Sequence, residues 1–594
     1  MSSFYSPVFR TLCSRPLARL LLSLPCSLAA PAWAVPFNIG GLEANLDSRL
    51  ALEVDWAMSA PDSDLIGTRN GGTAAAQTGD DGRLNFARGD AFSKRFDGWH
   101  GLELRQGDSG LFVRGHYWYD FGLMEQSLPL YDIDNHGRQP GAQASGGEIL
   151  EAYGYHNYQL DGPEGELAGN LRGGKQLLRW GESHLLENPL NSINPLDRQA
   201  LQRPAMPIED GALPVNLLHL GQQLTPSLSA ELFYQLDWQA EVQSNCGTYF
   251  AASDVQAQGC DTRLAVAGSD FAPQAAAGYR YVPRLPDQEA RDSGQYGVAL
   301  HWQIEELGGS ELGLYALNYH SRAAFFSTQV GQPVGQVDPL SGATSAQYQM
   351  GYPEDIRQYG LSIARERGGT RLFAQLSHSP NMPLQINGAD LTLVALDPTA
   401  MAGNPLFSSG YANAAAGSQL RGYQRHPMTQ LQLGVTQVVE QVLGAEQLKL
   451  QAEVGGAHLN GVADSQLRFG RDGLYGLGQL PDNSQCGSLN PQGDQACNEQ
   501  GFYTEQSWGW RARASLDYAD VWPGLNLSPN LALAQDVHGY GPQFNQGSKA
   551  LGVGLAAEFQ NSYNASLSYN SFFGGAYNPR SDRDFMALSL GLNF

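Results

Sequence analysis

The side chains that could do chemistry in this sequence are scattered histidines, one acidic loop, a few cysteines and one basic stretch. His116, His301, His320, His378 and His458 stand at positions where acid–base work is conceivable, since imidazole titrates near neutrality. Spacing assigns no partner to any of them, and a lone histidine of this kind is equally an ordinary wall residue. The Gly-x-Ser-x-Gly nucleophile elbow does not occur. Asp80, Asp81, Asn85 and Asp90 carry enough oxygens for calcium but lack the ligand spacing of an EF-hand. Asx turns capping the loop account for the same residues. Cys246, Cys260, Cys486 and Cys497 form two near pairs, each inside one polar, Gly-rich segment. Several connectivities are open to such a set, and proximity favours Cys246–Cys260 and Cys486–Cys497 as disulfides of an oxidising compartment. Neither pair has a histidine at zinc-ligand spacing.

The basic stretch holds Arg172, Lys175, Arg179, Arg198 and Arg203 against Glu182, Glu187 and Asp197. Two readings stand together. The arginines could form a constriction that sorts solutes by charge, or they could pair with nearby acids and pin the segment. Asn194 can cap a helix whose first residue is Pro195 and which Pro204 ends.

Strands must position all of this. Leu42, Ala44, Leu46, Leu50, Leu52, Val54 and Trp56 alternate with Glu43, Asn45, Asp47, Arg49, Glu53 and Asp55. Successive strand side chains point opposite ways, so one face is apolar and the other wet. The pattern returns over 228–238, 296–304, 508–518, 551–559, 563–570 and at the C-terminus, where Met586, Leu588, Leu590, Leu592 and Phe594 oppose Ala587, Ser589, Gly591 and Asn593. One such strand could edge a soluble sandwich. The full set, with aromatics at the ends of the apolar rows, fits a transmembrane barrel. Connections alternate in length, as such barrels require. Short ones include Glu306–Gly309, Glu366–Gly369 and Gln560–Asn561; long ones fall near 57–97, 121–148, 177–213, 239–294, 320–355, 379–427 and 459–505, and shorter outer loops follow near 538–548 and 571–584.

The expectation is an all-β chain: one antiparallel barrel of about eighteen strands, with sixteen the alternative. A short helical insert near 178–212 would enter its lumen, and both termini would lie at the periplasmic end. Lumen or constriction candidates are Arg179, Glu182, Arg198, Arg203, Glu231, Asp237, Arg511 and Arg513.

The N-terminus reads as a secretory signal over 1–34: Arg10, Arg15 and Arg19 precede an apolar run, Leu20 to Ala30, and Ala32-Trp33-Ala34 is a small-x-small cleavage site. The run is too short to cross a bilayer as a helix. Residues 35–594 are then the barrel. Removing the three arginines takes 36 basic against 59 acidic residues to 33 against 59, or −26, which excludes nucleic acid as a natural partner. Strand pattern begins soon after the cleavage site, leaving no room for a receptor plug or a secreted passenger. The last strand, closing on Phe594, resembles the signal read by the barrel-assembly machinery.

Trp180-Gly181-Glu182-Ser183, Asn194-Pro195-Leu196-Asp197 and Arg203-Pro204, with the earlier Asp80-Asp81-Gly82-Arg83-Leu84-Asn85-Phe86 and Gly89-Asp90, resemble the domain-of-unknown-function 1302 family of Gram-negative outer-membrane proteins. The resemblance spans the mature chain. It implies a large outer-membrane barrel without catalytic activity, in a family suspected of moving hydrophobic or lipid-like compounds. The resulting expectation is a partly plugged, non-enzymatic channel or facilitator for small or hydrophobic compounds, embedded in outer-membrane lipid, with no cofactor or metal. The alternatives are a sealed barrel presenting loops such as 470–507 as a binding or structural component, and a carrier of lipid-like compounds working with periplasmic partners.

Overall fold

The computed structural model describes residues 35–594 except 126, 131–136, 164, 271–276, 399–413, 464, 481–483, 485 and 488–495. The signal expected over 1–34 lies outside the described residues.

A strand crossing lipid must give every backbone N–H and C=O a partner, so a membrane sheet has to close. Here nineteen strands form one antiparallel sheet. Its first long strand, Leu42–Ala57, pairs with its last, Phe585–Asn593, from Arg49↔Asn593 to Ala57↔Phe585. The nineteenth member is Val35–Ile39, which turns at Gly40–Gly41 and pairs along Leu42–Leu46. It occupies the lane just below Phe594, whose amide and carbonyl bond Ser48 at 2.9 and 2.8 Å. The closed barrel therefore has eighteen strands, one lane being shared by the two ends of the described chain.

Hairpins at one end are tight. Gly368 and Gly369 both take positive φ (58° and 74°), the conformation a two-residue turn between twisted strands needs. At the other end the connections are long and carry their own small sheets, Arg263–Ala267 with Arg280–Pro283, and Phe325–Gln329 with Gln347–Gly351 and Gln419–Leu420. They also carry a helix, Gly388–Leu396, capped by the Asn387 side chain. The largest apolar core cluster, with Val282, Tyr348, Leu384, Ile386, Leu391 and Phe469, lies among these loops.

The wall separates two media. Along Tyr423–Glu440, Leu431 and Leu433 are 49% and 45% exposed while Gln430 and Gln432 are 2% and 1% exposed. Apolar groups outside and amides inside invert the order of a water-soluble protein. Leu218, Leu232, Val298, Leu314 and Leu361 continue the outward belt, which belongs in lipid.

Two expectations need correction. The strand from Leu228 ends at Gln235 rather than at Trp238, whose indole N–H leaves the wall to donate to Ser321 O at 3.1 Å. The helix from Asn194 to Pro204 does not form. Asn194 Oδ1 accepts from Leu178 N at 3.1 Å and its Nδ2 donates to Leu213 O at 2.8 Å, so the side chain ties the two legs of the insert instead of capping. The insert's helical content is two 3-10 turns, Pro189–Asn191 and Ile208–Gly211.

A charge on the lipid belt should be costly. Leu433→Arg is expected to destabilise the barrel by roughly 2–4 kcal/mol, read from urea-dependent folding into lipid vesicles.

Candidate functional site

The segment between Gln176 and Val215 folds inward and meets the opposite wall. Its apolar half is held by shape. Trp180, 1% exposed, packs edge-on to Phe233 with ring centroids 5.0 Å apart, and Leu190 is fully buried. Both seat against wall glycines. A β-carbon at Gly297 would stand 2.7 Å from the Trp180 ring, and one at Gly360 would stand 2.6 Å from Leu190 Cδ1. No larger residue fits at either place without moving the insert.

Its polar half is held by one carboxylate. Glu453, buried on the strand Gln447–Leu459, accepts from Ser183 Oγ at 2.7 Å and from the backbone N–H of His184, Leu185 and Leu186 at 2.8, 3.1 and 3.1 Å. Such a tight turn leaves its amides without carbonyl partners, and an anion is the natural acceptor. Amides of the wall complete the grip. Glu182 N donates to Gln375 Oε1 at 2.6 Å, and Asn188 Nδ2 donates to Gln432 Oε1 at 2.5 Å.

Most of the charged candidates are paired. Arg179 meets Glu209 at 3.2 Å, Glu182 meets Arg371 at 2.5 Å, and Arg203 meets Glu53 at 2.8 Å. Arg198 holds both Glu187 (2.5 Å) and Glu241 (2.8 Å). Arg511 pairs with Asp536 at 2.7 Å, and Asp237 accepts from Asn216 Nδ2 at 2.6 Å. Glu231 receives the Trp180 indole N–H at 3.1 Å and stands 3.1 Å from His219 and 3.4 Å from His301. The Arg513 side chain alone of the eight makes no hydrogen bond or ion pair among the described residues.

The insert divides the lumen. Leu196 bridges Ala212 and Asp197 bridges Val242, with Val242 N bonded to Leu196 O and Arg198 N to Val242 O, both at 2.9 Å. This small sheet, the septum, contributes lining to two separate cavities. Arg198 and Glu241 face a cavity of about 1190 Å³ beneath the long loops, lined by Phe325, Phe326, Met382, Leu393, Leu396 and Leu474 among others. Asp197, Gln199 and Val242 face a second space of about 710 Å³ against Glu53, Arg95, Asp97, Arg114 and His116. A third space, about 790 Å³, opens near the tight turns around His219, Glu231, His301 and Glu311. Both larger spaces mix the two kinds of lining: Arg69, Arg322, Arg471 and Asp472 stand among the apolar groups under the loops, and Phe92, Leu123, Trp238 and Phe585 stand among the charges of the second space.

The five histidines do not assemble a catalytic set. His116 bonds Asp97 at 2.8 Å and stacks on Trp99; His301 bonds Glu311 at 3.0 Å; His320 bonds Ser293 O at 2.9 Å; His378 bonds Thr429 Oγ1 at 2.9 Å; His458 is exposed. Among the described residues none holds a hydroxyl on one nitrogen and a carboxylate on the other. Cys246 pairs with Cys260, and Cys486 with Cys497, each at a Cα separation of 5.8 Å.

Glu453, Gln375 and Gln432 were not singled out by motif. Glu453 had a signal nonetheless, as an acid in the inward row of the alternating strand 447–459 whose neighbours two places on either side are Gln451 and Gly455.

Glu453→Ala removes the acceptor of four donors. The insert should loosen, and single-protein conductance in planar bilayers should rise in level or open time; currents like those of the unaltered protein would show that the insert does not limit the path. Arg513→Glu should move the reversal potential toward cation preference in a salt gradient, and an unchanged potential would place Arg513 off the ion path.

No curated protein matches the sequence. Among solved structures the fold overlaps the outer-membrane channel DcaP of Acinetobacter baumannii (9% identity, 94% of this chain and 100% of that one, TM-score 0.36). It also overlaps OccAB1 of the same organism (10%, 95% and 98%, 0.38) and OccD3 (OpdP) of Pseudomonas aeruginosa (10%, 97% and 97%, 0.38). Overlaps this loose say nothing about a solute. The family comparison is of another order: the model for "Protein of unknown function (DUF1302)" matches residues 15–594, and the chain belongs to that family.

Proposed function

We propose that this protein is an outer-membrane facilitator for small, largely apolar compounds, non-enzymatic and partly plugged at rest, with the tight turns and both termini on the periplasmic side. The observation that carries this is the cavity of about 1190 Å³ under the long loops, whose wall includes Phe325, Phe326, Met382, Leu393 and Leu396. A ligand site is commonly a concavity of this size with mostly apolar lining and a few placed polar groups. Arg198 with Glu187 and Glu241, together with Arg69, Arg322, Arg471 and Asp472, supplies the polar groups.

An apolar solute would leave water for this cavity, where burial gains roughly 25 cal/mol per Å² of apolar surface. It would then have to pass the septum into the spaces below. Movement of the insert is the step that admits it, and the same anchors that hold the septum suppress leakage of ions.

The test is entry of a small apolar fluorophore into Gram-negative cells whose lipopolysaccharide leaflet retards it. Cells carrying the protein should take it up several-fold faster than cells without it. Phe326→Glu, which sets a charge in the cavity, should cancel most of the gain because an unpaired charge is costly there. Equal uptake with and without the protein would reject the reading.

A further inference from the structure

Two of the long loops converge on a group of carboxylates. Asp80 and Asp81 come from the loop after Ala57, and Asp254 and Asp270 from the loop after Gln235. One oxygen from each lies within 4.8 Å of the others. Asp80 is fully buried and Asp254 is 4% exposed. Asp80 is served by Gly67 N at 2.7 Å and Asn70 Nδ2 at 3.0 Å. Asp254 Oδ2 accepts from Asp80 N at 3.1 Å, but Asp254 Oδ1 is buried with no hydrogen-bond partner, as is Asp270 Oδ1. The adjacent Arg83 gives its hydrogen bonds to Asp582 Oδ2 (3.1 Å), Gly79 O (2.9 Å) and Pro579 O (2.5 Å) rather than to these four carboxylates.

We propose that Asp80, Asp81, Asp254 and Asp270 form a divalent-cation site, suited to Ca²⁺, that clasps these two outer loops together. All-oxygen ligation selects a hard cation. The oxygens lie no farther apart than 4.8 Å, within the span that ligands on opposite sides of one Ca²⁺ can reach at roughly 2.4 Å each. Mg²⁺ demands near-ideal octahedral geometry and sheds its water reluctantly, so a cage of four protein carboxylates suits it less. Without a cation the arrangement is strained electrostatically. Desolvation, then the neighbouring carboxylates, push Asp81 up to about 9 and Asp254 up to about 7, and desolvation raises Asp270 to about 6. The clasp bears on the cavity because Gln77, Thr78 and Gly79 on one loop, and Ala252, Ser253 and Val255 on the other, line its wall.

The experiment uses the mature full chain, refolded in detergent free of lipopolysaccharide, titrated calorimetrically with CaCl2 and melted in CaCl2 or EDTA. One Ca²⁺ per chain and a higher melting temperature with Ca²⁺ are expected, with Mg²⁺ weaker. Asp254→Asn should lower Ca²⁺ affinity at least about tenfold, while in EDTA it should melt no lower than the unaltered protein, because a repelling charge is gone. Simple structural damage would lower melting in both conditions. Asp270→Asn, at a partly exposed position, is the second variant should the first fail to fold, and Asp338→Asn, on an exposed loop outside the cluster, should bind as the unaltered protein does. Absence of Ca²⁺ binding, or binding undiminished in both cluster variants, overturns the proposal.

Discussion

The constraint on which everything else rests is that no backbone donor or acceptor can be left open in hydrocarbon. It is met where Arg49–Ala57 pairs with Phe585–Asn593, residues at nearly opposite ends of the described chain. Closure makes the two faces of every strand see different media, so alternation becomes compulsory: Leu431 and Leu433 outside, Gln430 and Gln432 inside. It also sets the register of the whole wall, since a slip of one residue would exchange the two faces. The lane below Phe594 shows how strictly the edge is handled. Where the last strand stops, Val35–Ile39 continues the pairing with Leu42–Leu46.

A closed sheet of this many strands encloses more space than wall side chains can fill, and the insert answers that geometry. It is fixed by two kinds of force that fail differently. Trp180 and Leu190 press into places where Gly297 and Gly360 leave room, a contact set by volume. Glu453 collects four donors from a turn that cannot satisfy itself, a contact set by charge. A buried carboxylate is expensive unless fully hydrogen-bonded, so removing either side of this arrangement leaves the other with an unmet cost. The anchor is therefore specific to one seating of the insert rather than a general adhesive.

The strands were legible because a period of two survives without any alignment, and the long and short connections could be placed from composition alone. Local propensity failed at Asn194, a good helix cap by type. The fold uses its two polar atoms for Leu178 and Leu213, which lie on different legs of the insert. What the sequence hides is any pairing across the lumen. Arg203 finds Glu53 150 positions away, and Glu182 finds Arg371 at a separation of 189. The same is true of Asp80, readable as part of a loop turn, whose neighbour Asp254 is 174 positions on. Residue type marked these groups as notable; only the barrel's closure decides what each one meets.

Those pairings change what the lumen can select. A row of free arginines facing free acids would impose a transverse field, and solutes would be sorted by charge. Here Arg179, Arg198, Arg203 and Arg511 each stand within 3.2 Å of a carboxylate. An ion pair at contact is a dipole, whose field falls off faster than that of a single charge and is screened further within about 10 Å in salt. The charges therefore act chiefly on one another, as struts of the insert and, at Arg511–Asp536, of the wall, and Arg513 is the exception that could act on a passing ion. Discrimination then rests on shape and on the cost of leaving water. The cavity under the long loops sets Arg198, Glu187 and Glu241 beside Phe325, Phe326 and Met382, so a solute that leaves water there meets charges that are already neutralised by one another.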